Sequence, residues 1–218
     1  ATNIKEEFEN VKSLDAGFEC TFLHEPDGIR DLETAFKEGH RLKVDMAVKR
    51  FLRLVNILNS RVEFQKYFNG KFEKHSIDYI NSICTTQWKG NWHRGSDTIK
   101  FSKQDLLYYN LAKQIFLNEY SYKNYSLYEP DTWHPTYQMR NKSFYAFFDD
   151  SFYAKTQDYI KKLFLEVAIH TDAKRVLIDQ FFSAYNISAY LKYAPQTKVV
   201  IVDRDPRDLY VLNKSSWG

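Results

Sequence analysis

The sequence predicts an α/β fold, a parallel sheet flanked by many helices. Two short apolar runs, Arg175-Val-Leu-Ile-Asp179 and Lys198-Val-Val-Ile-Val-Asp203, each end in an acid, as strands buried in a parallel sheet do. Residues 182–193 between them read as a helix, and strand, helix, strand, helix within this length implies a right-handed parallel crossover. Only 7 Gly and 5 Pro in 218 residues leave few tight loops, which favours helices elsewhere.

Each element follows from local pattern. Residues 3–14 read as a short charged helix. Gly17-Phe-Glu-Cys-Thr-Phe-Leu23 has the composition of a buried strand, although its alternation is imperfect. His24-Glu-Pro-Asp-Gly28 is a turn, with Asp27 placed to cap the helix that runs through Asp31, Leu32 and Phe36. Over 42–58, Val44, Val48, Phe51, Val55 and Leu58 recur at three- and four-residue spacing, an amphipathic helix with a defined core face. Its polar side and flanks carry Arg41, Lys43, Lys49, Arg50, Arg53 and Arg61 against the single acid Asp45. A further helix is expected over 71–84. Residues 85–102 and 120–140 are irregular and aromatic, helical spacing returns over 104–120, and a further helix is expected over 154–169. Pro195 ends the 182–193 helix. Pro206, at an early helical position, and Asp205 or Asp208 in the first turn, open the last helix. The expected organisation is one domain over 1–218, with 85–140 as an insertion.

Composition narrows the function. The 31 Lys+Arg against 28 Asp+Glu leave a charge of +3, too mild to announce nucleic acid or an anionic membrane. No uncharged apolar run reaches the ~18 residues of a membrane helix, and no signal-peptide pattern opens the chain. Cys20 and Cys84 make no disulfide framework, and with no signal they favour the cytoplasm. His40, His75 and His170 are scattered, with no pair at metal-ligand spacing, so no metal is expected. Four N-x-S sequons, at Asn124, Asn141, Asn186 and Asn213, read as incidental. The 16 Tyr, 17 Phe and 4 Trp exceed what a core of this size requires. They fit either an aromatic core or surfaces for flat ligands such as sugars.

Lys198-Val-Val-Ile-Val-Asp-Arg-Asp-Pro-Arg-Asp-Leu-Tyr210 resembles the 3′-phosphate-binding strand-turn-helix of the sulfotransferases, which use 3′-phosphoadenosine 5′-phosphosulfate (PAPS). The resemblance implies the P-loop NTPase-like sulfotransferase fold and places Arg204 on the 3′-phosphate, which a guanidinium fork suits. Where the family usually has a second phosphate contact, a Ser, this chain has Leu212, with Asn213, Lys214 or Ser215 as substitutes. Phe18-Glu-Cys-Thr-Phe22 is similar to the K-E-x-H-F motif of heparan-type sulfotransferases, which implies that Glu19 is the general base for the acceptor hydroxyl. His24 is the alternative base, since imidazole titrates near neutrality. Gln180 stands where the family often has a Lys near the leaving group, and must then donate as a neutral amide.

No sequence like the family's P-K-[ST]-G-T-[ST] phosphosulfate loop occurs in the 218 residues. The expectation is a partial chain whose loop lies outside them; a degenerate, non-catalytic relative is the competing reading. On this resemblance the chain transfers a sulfuryl group from PAPS, as co-substrate, to a hydroxyl acceptor, expected to be a carbohydrate. No nucleic-acid partner and no membrane span are expected. Trp88, Trp92, His93, Arg94, Trp133 and His134 would line the acceptor cleft, or else plug the domain surface. The Arg50/Arg53 face would meet the cofactor or an anionic glycan, or else lie in solvent. The other functional classes left open are a glycan-binding or scaffold protein and a kinase-like nucleotide enzyme.

Overall fold

The computed structural model describes residues 11–14, 18–89, 142–203 and 205–216. In chain order these form β1 (Val11–Ser13), α1 (Ile29–Glu38), α2 (Arg41–Asn59), α3 (Val62–Tyr67), α4 (Phe72–Ile83), β2 (Thr86–Lys89), β3 (Lys142–Tyr145), α5 (Ser151–Thr171), β4 (Arg175–Leu177), α6 (Ile187–Leu191) and α7 (Pro206–Ser216).

The expected α/β architecture, a parallel sheet flanked by many helices in a P-loop NTPase-like arrangement, is not what these residues form. They are mostly helical, and their strands make only two two-stranded pairings. β2 and β3 pair antiparallel, Thr86 opposite Tyr145. β1 meets β4 in a parallel contact of three residues a side, Val11 opposite Arg175. The expected strand at 198–203 is the main loss. Val200, Ile201 and Val202 are 66%, 66% and 77% exposed and belong to no ladder among the described residues. An apolar run specifies a strand only when another strand meets its backbone groups.

Other elements depart more locally. Residues 11–13, expected at the end of a helix, are strand β1, and the strand expected over 17–23 shrinks to a single bridge between Glu19 and Asp179. Residues 86–89, expected to be irregular, are β2, and the helix expected over 182–193 narrows to α6. The helices fare better: α2, α4 and α5 occupy the stretches where helices are expected over 42–58, 71–84 and 154–169. The helix at 104–120 and the irregular segment at 120–140 lie outside the described residues.

The core explains much of the aromatic content. Phe22 packs edge-on against Phe72, Tyr159 and Phe181 at 5.9–6.0 Å between ring centres. Phe18 lies 5.3 Å from Phe64, and Tyr79 stacks on Tyr159 at 4.6 Å. Such offset and edge contacts add to the stabilisation that burial provides. The hydroxyls of this stacked pair are satisfied: Tyr159 pairs with Ser76 Oγ at 2.7 Å and Tyr79 with Thr156 Oγ1 at 2.8 Å. Those bonds join α4 to α5 through the middle of the core.

Three buried carboxylates tie the elements together. Glu33 on α1 accepts from Arg30 and Tyr153 at 2.6 Å each, and from Lys37 and the Tyr193 hydroxyl. Burial alone would raise its pKa, but the hydrogen bonds from Lys37, Tyr153 and Tyr193, with the charge of Arg30, bring it down to about 2. Glu166 on α5 is held by Asn69, by Lys71 and by His75, which together also lower it to about 2 against the cost of burial. Asp45 on α2 takes the Phe144 amide N–H at 2.9 Å and Lys49 at 2.7 Å, anchoring β3, although burial pushes its carboxyl up.

The two depressed carboxyls make stability pH-dependent. Groups held below their unfolded values contribute stability above about pH 4.3, and that stability is lost as pH falls towards 2. Urea unfolding between pH 6 and pH 2 should therefore show stability falling mainly below pH 5. In Glu33→Gln the fall should be shallower by one proton, from a starting stability about 3 kcal/mol lower. An unchanged slope in that variant would show that Glu33 is not depressed.

Candidate functional site

The first turn of the site is shaped by a glycine. Residues 21–28 fold back on themselves, with the Thr21 carbonyl accepting from the His24 and Glu25 amides at 2.9 Å and the Phe22 carbonyl accepting from Ile29 at 3.1 Å. A Cβ at Gly28 would lie 2.5 Å from the Phe22 carbonyl oxygen and 2.7 Å from that of Glu25. Only glycine lets this turn close before α1. Phe22 and Leu23 are buried and anchor it, while Glu19 on its upstream side remains exposed.

The second half of the site comes from the far end of the chain. Past β4, Asp179 bridges Glu19, and its carbonyl accepts from the Cys20 amide at 3.3 Å. Gln180 then turns with φ 51°, a left-handed conformation that costs a non-glycine residue about 1 kcal/mol or more. Two contacts hold it there. Its side-chain amide donates to Glu19 Oε1 at 2.5 Å, and its backbone carbonyl accepts from His24 Nε2 at 2.8 Å. A carbonyl can only accept, so His24 carries a proton on Nε2. The His24 ring stands edge-on to Tyr190, 6.1 Å between centres.

Three residues singled out from sequence, Glu19, His24 and Gln180, are thus joined across a separation of more than 150 residues. Chemically the arrangement offers one exposed carboxylate with a neutral donor on one oxygen and an imidazole that steadies the donor's backbone. Such a carboxylate is suited to accept a proton from a bound hydroxyl. The neighbouring Cys20 is no competing nucleophile: it is fully buried, and burial pushes its thiol well above the usual range. Burial likewise raises the Cys84 thiol to about 12.

Of the expected nucleotide-binding residues, Gln180 is the one that the described contacts place here. Arg204 lies outside the described residues, and Asn213 is exposed on α7, where Leu212 is 48% exposed. Trp92, His93, Arg94, Trp133 and His134 also lie outside them, while Trp88 sits on β2, 37% exposed. Asp27 does not cap α1. Gly28 occupies that position, and the Asp27 carboxylate instead receives Arg50 Nε at 2.8 Å and Arg53 Nη2 at 2.9 Å. This grouping was half-legible: the two arginines stand three residues apart on one helix face, but no local pattern names Asp27 as their partner. Asp179 had no signal beyond ending an apolar run.

Among the described residues no group of three or more His, Cys, Asp or Glu side chains is arranged to hold a metal ion, and no helix is long and apolar enough to cross a membrane. No family model, no curated protein and no solved structure matches the chain.

The left-handed turn can be tested directly. Gln180→Gly should stay within about 1 kcal/mol of the wild type in urea unfolding, because glycine takes positive φ without strain. Gln180→Val should lose about 2 kcal/mol, since a β-branched side chain is worst placed there. Equal losses would show that residue 180 is not left-handed.

Proposed function

We propose that this chain belongs to a PAPS-dependent sulfotransferase and supplies its acceptor-activating residues, with a carbohydrate hydroxyl as acceptor and the cytoplasm as its compartment. One observation carries the reading: Glu19, drawn from the sequence as the base, is met by Gln180, drawn from the sequence as the residue beside the leaving group. The Arg204-Asp-Pro-Arg-Asp208 sequence supports a 3′-phosphorylated nucleotide as donor.

In this reading the acceptor hydroxyl binds beside Glu19. As its oxygen attacks the sulfur of PAPS, the carboxylate takes the hydroxyl proton. The bond between sulfur and the bridging phosphate oxygen breaks, and 3′-phosphoadenosine 5′-phosphate (PAP) leaves with the electron pair. Gln180 steadies Glu19 through a neutral amide and adds no charge beside the carboxylate. His24, its Nε2 proton engaged on the Gln180 carbonyl, serves as a positioning residue.

Thermal melting with PAP, AMP and ATP tests the donor site. PAP at ~100 times its dissociation constant adds about 2.7 kcal/mol of stability, and AMP should add far less. Arg204→Ala should lose the PAP shift. A PAP shift no larger than that of AMP would end the sulfotransferase reading. Glu19→Ala should abolish turnover of PAPS while leaving the PAP shift intact; retained turnover would remove Glu19 from the base role.

A further inference from the structure

Asn69-Gly70 is the one Asn-Gly pair in the sequence. It stands exposed in the turn between α3 and α4, with both residues left-handed at φ 51° and 67°. The pair is chemically labile. A backbone nitrogen that follows asparagine can attack the side-chain carbonyl carbon, and glycine, with no Cβ, shields that nitrogen least. Here both reacting groups are engaged elsewhere. The Gly70 amide donates to the Gln65 carbonyl at 2.9 Å. The Asn69 side-chain amide donates to the backbone carbonyl of Glu166 at 3.2 Å and to its Oε2 at 3.1 Å, on α5 and 97 residues further along the chain. Lys71 Nζ, at 2.9 Å from each oxygen, and His75 Nε2, at 3.3 Å from Oε1, hold the same carboxylate in place.

We propose that Asn69-Gly70 is a deamidation site latched shut by Glu166, and that its product opposes closing of the latch. While the turn is docked on α5, the Asn69 amide is bound to Glu166 and the Gly70 N–H to Gln65, so the two groups do not meet. Release of the turn is a local opening that leaves the rest of the core folded. The Gly70 nitrogen, its proton taken by base, then forms a bond to Asn69 Cγ. The bond from Cγ to the side-chain nitrogen breaks, and ammonia leaves with the electron pair and a proton. Water opens the resulting cyclic imide at either carbonyl, giving aspartate or isoaspartate. The balance is one water consumed and one ammonia released. Either product exchanges the N–H donors that Glu166 accepts for a carboxylate facing the Glu166 carboxylate, and like charges at that range repel. Isoaspartate also lengthens the backbone inside the turn that the Gly70 to Gln65 hydrogen bond closes. The modification therefore records, irreversibly, each departure of this turn from α5, and it does not depend on the sulfotransferase reading.

The experiment follows the mass of the peptide spanning residues 69 and 70 while the whole chain stands in mildly alkaline buffer, folded or unfolded in urea. The carboxyl product should accumulate in urea and roughly tenfold or more slowly in the folded chain. Glu166→Ala, with folding verified by circular dichroism, should convert about tenfold faster than the wild type without urea, as expected for removal of a charge-assisted hydrogen bond. Lys71→Met loosens the carboxylate but leaves it present, and should speed conversion about threefold; it carries the test if Glu166→Ala does not fold. Glu33→Gln, weakened at a different point of the core, should convert at the wild-type rate. Asn69→Asp should unfold at a lower urea concentration than the wild type. Absence of conversion in urea would show that the pair is not a deamidation site, and equal rates folded and in urea would show that nothing latches it. A rate in Glu33→Gln raised as far as in Glu166→Ala would show that global unfolding, rather than release of the turn, exposes the pair. An unchanged urea midpoint in Asn69→Asp would show that the product does not oppose closure. Each of these results overturns the proposal.

Discussion

The buried carboxylate of Glu33 is the constraint on which the described structure depends. It stands on α1, directly after the turn that carries Glu19 and His24, and gathers donors from its own helix, from Tyr153 on α5 and from Tyr193 just past α6. A lone carboxylate in that position would be costly, and four donors make it tolerable. The consequence is geometric. The start of the chain is tied to its last third at one charged point, and the turn before α1 cannot drift away from the segment that bears Gln180.

Around that point the aromatic residues do the space-filling. Phe22 belongs to the site turn and also to the core, touching rings from α4, from α5 and from Phe181 beside Gln180. The same side chain therefore fixes both halves of the candidate site. Close-packed interiors transmit small displacements rather than absorbing them, so the exposed Glu19 carboxylate inherits its position from a buried framework. The strain at Gln180 is sustained on this account: its two hydrogen bonds run to groups that the core already holds still.

The site and the fold were legible to different degrees. Glu19 and Gln180 could be chosen only through short motifs that resemble a known family, and His24 as the alternative base because imidazole titrates near neutrality. Their meeting could not be chosen, since it depends on a bridge between Glu19 and Asp179 that no local pattern encodes. The helix α2 was legible because three- and four-residue spacing persists along it for several turns. The strand at 175–177 was legible as an apolar run, but the one expected at 198–203 was not formed, because a run such as Val199 to Val202 reports only apolarity and says nothing of a partner. Asp27 failed for a related reason. Its local chemistry suits a helix cap, yet two arginines from the next helix outbid the helix amides for its oxygens.

The sequence by itself determined the helical stripe of α2, the helix α4 and the absence of a disulfide framework. These follow from properties that each residue or short window carries with it. Tertiary structure alone decided that the runs at 175–179 and 198–203 do not build a parallel sheet, that Glu19 is held by Gln180, and that Asp27 pairs with Arg50 and Arg53. Each of these requires two distant segments to be brought together, and hydrogen-bond donors and acceptors choose partners by position in space, not by spacing along the chain.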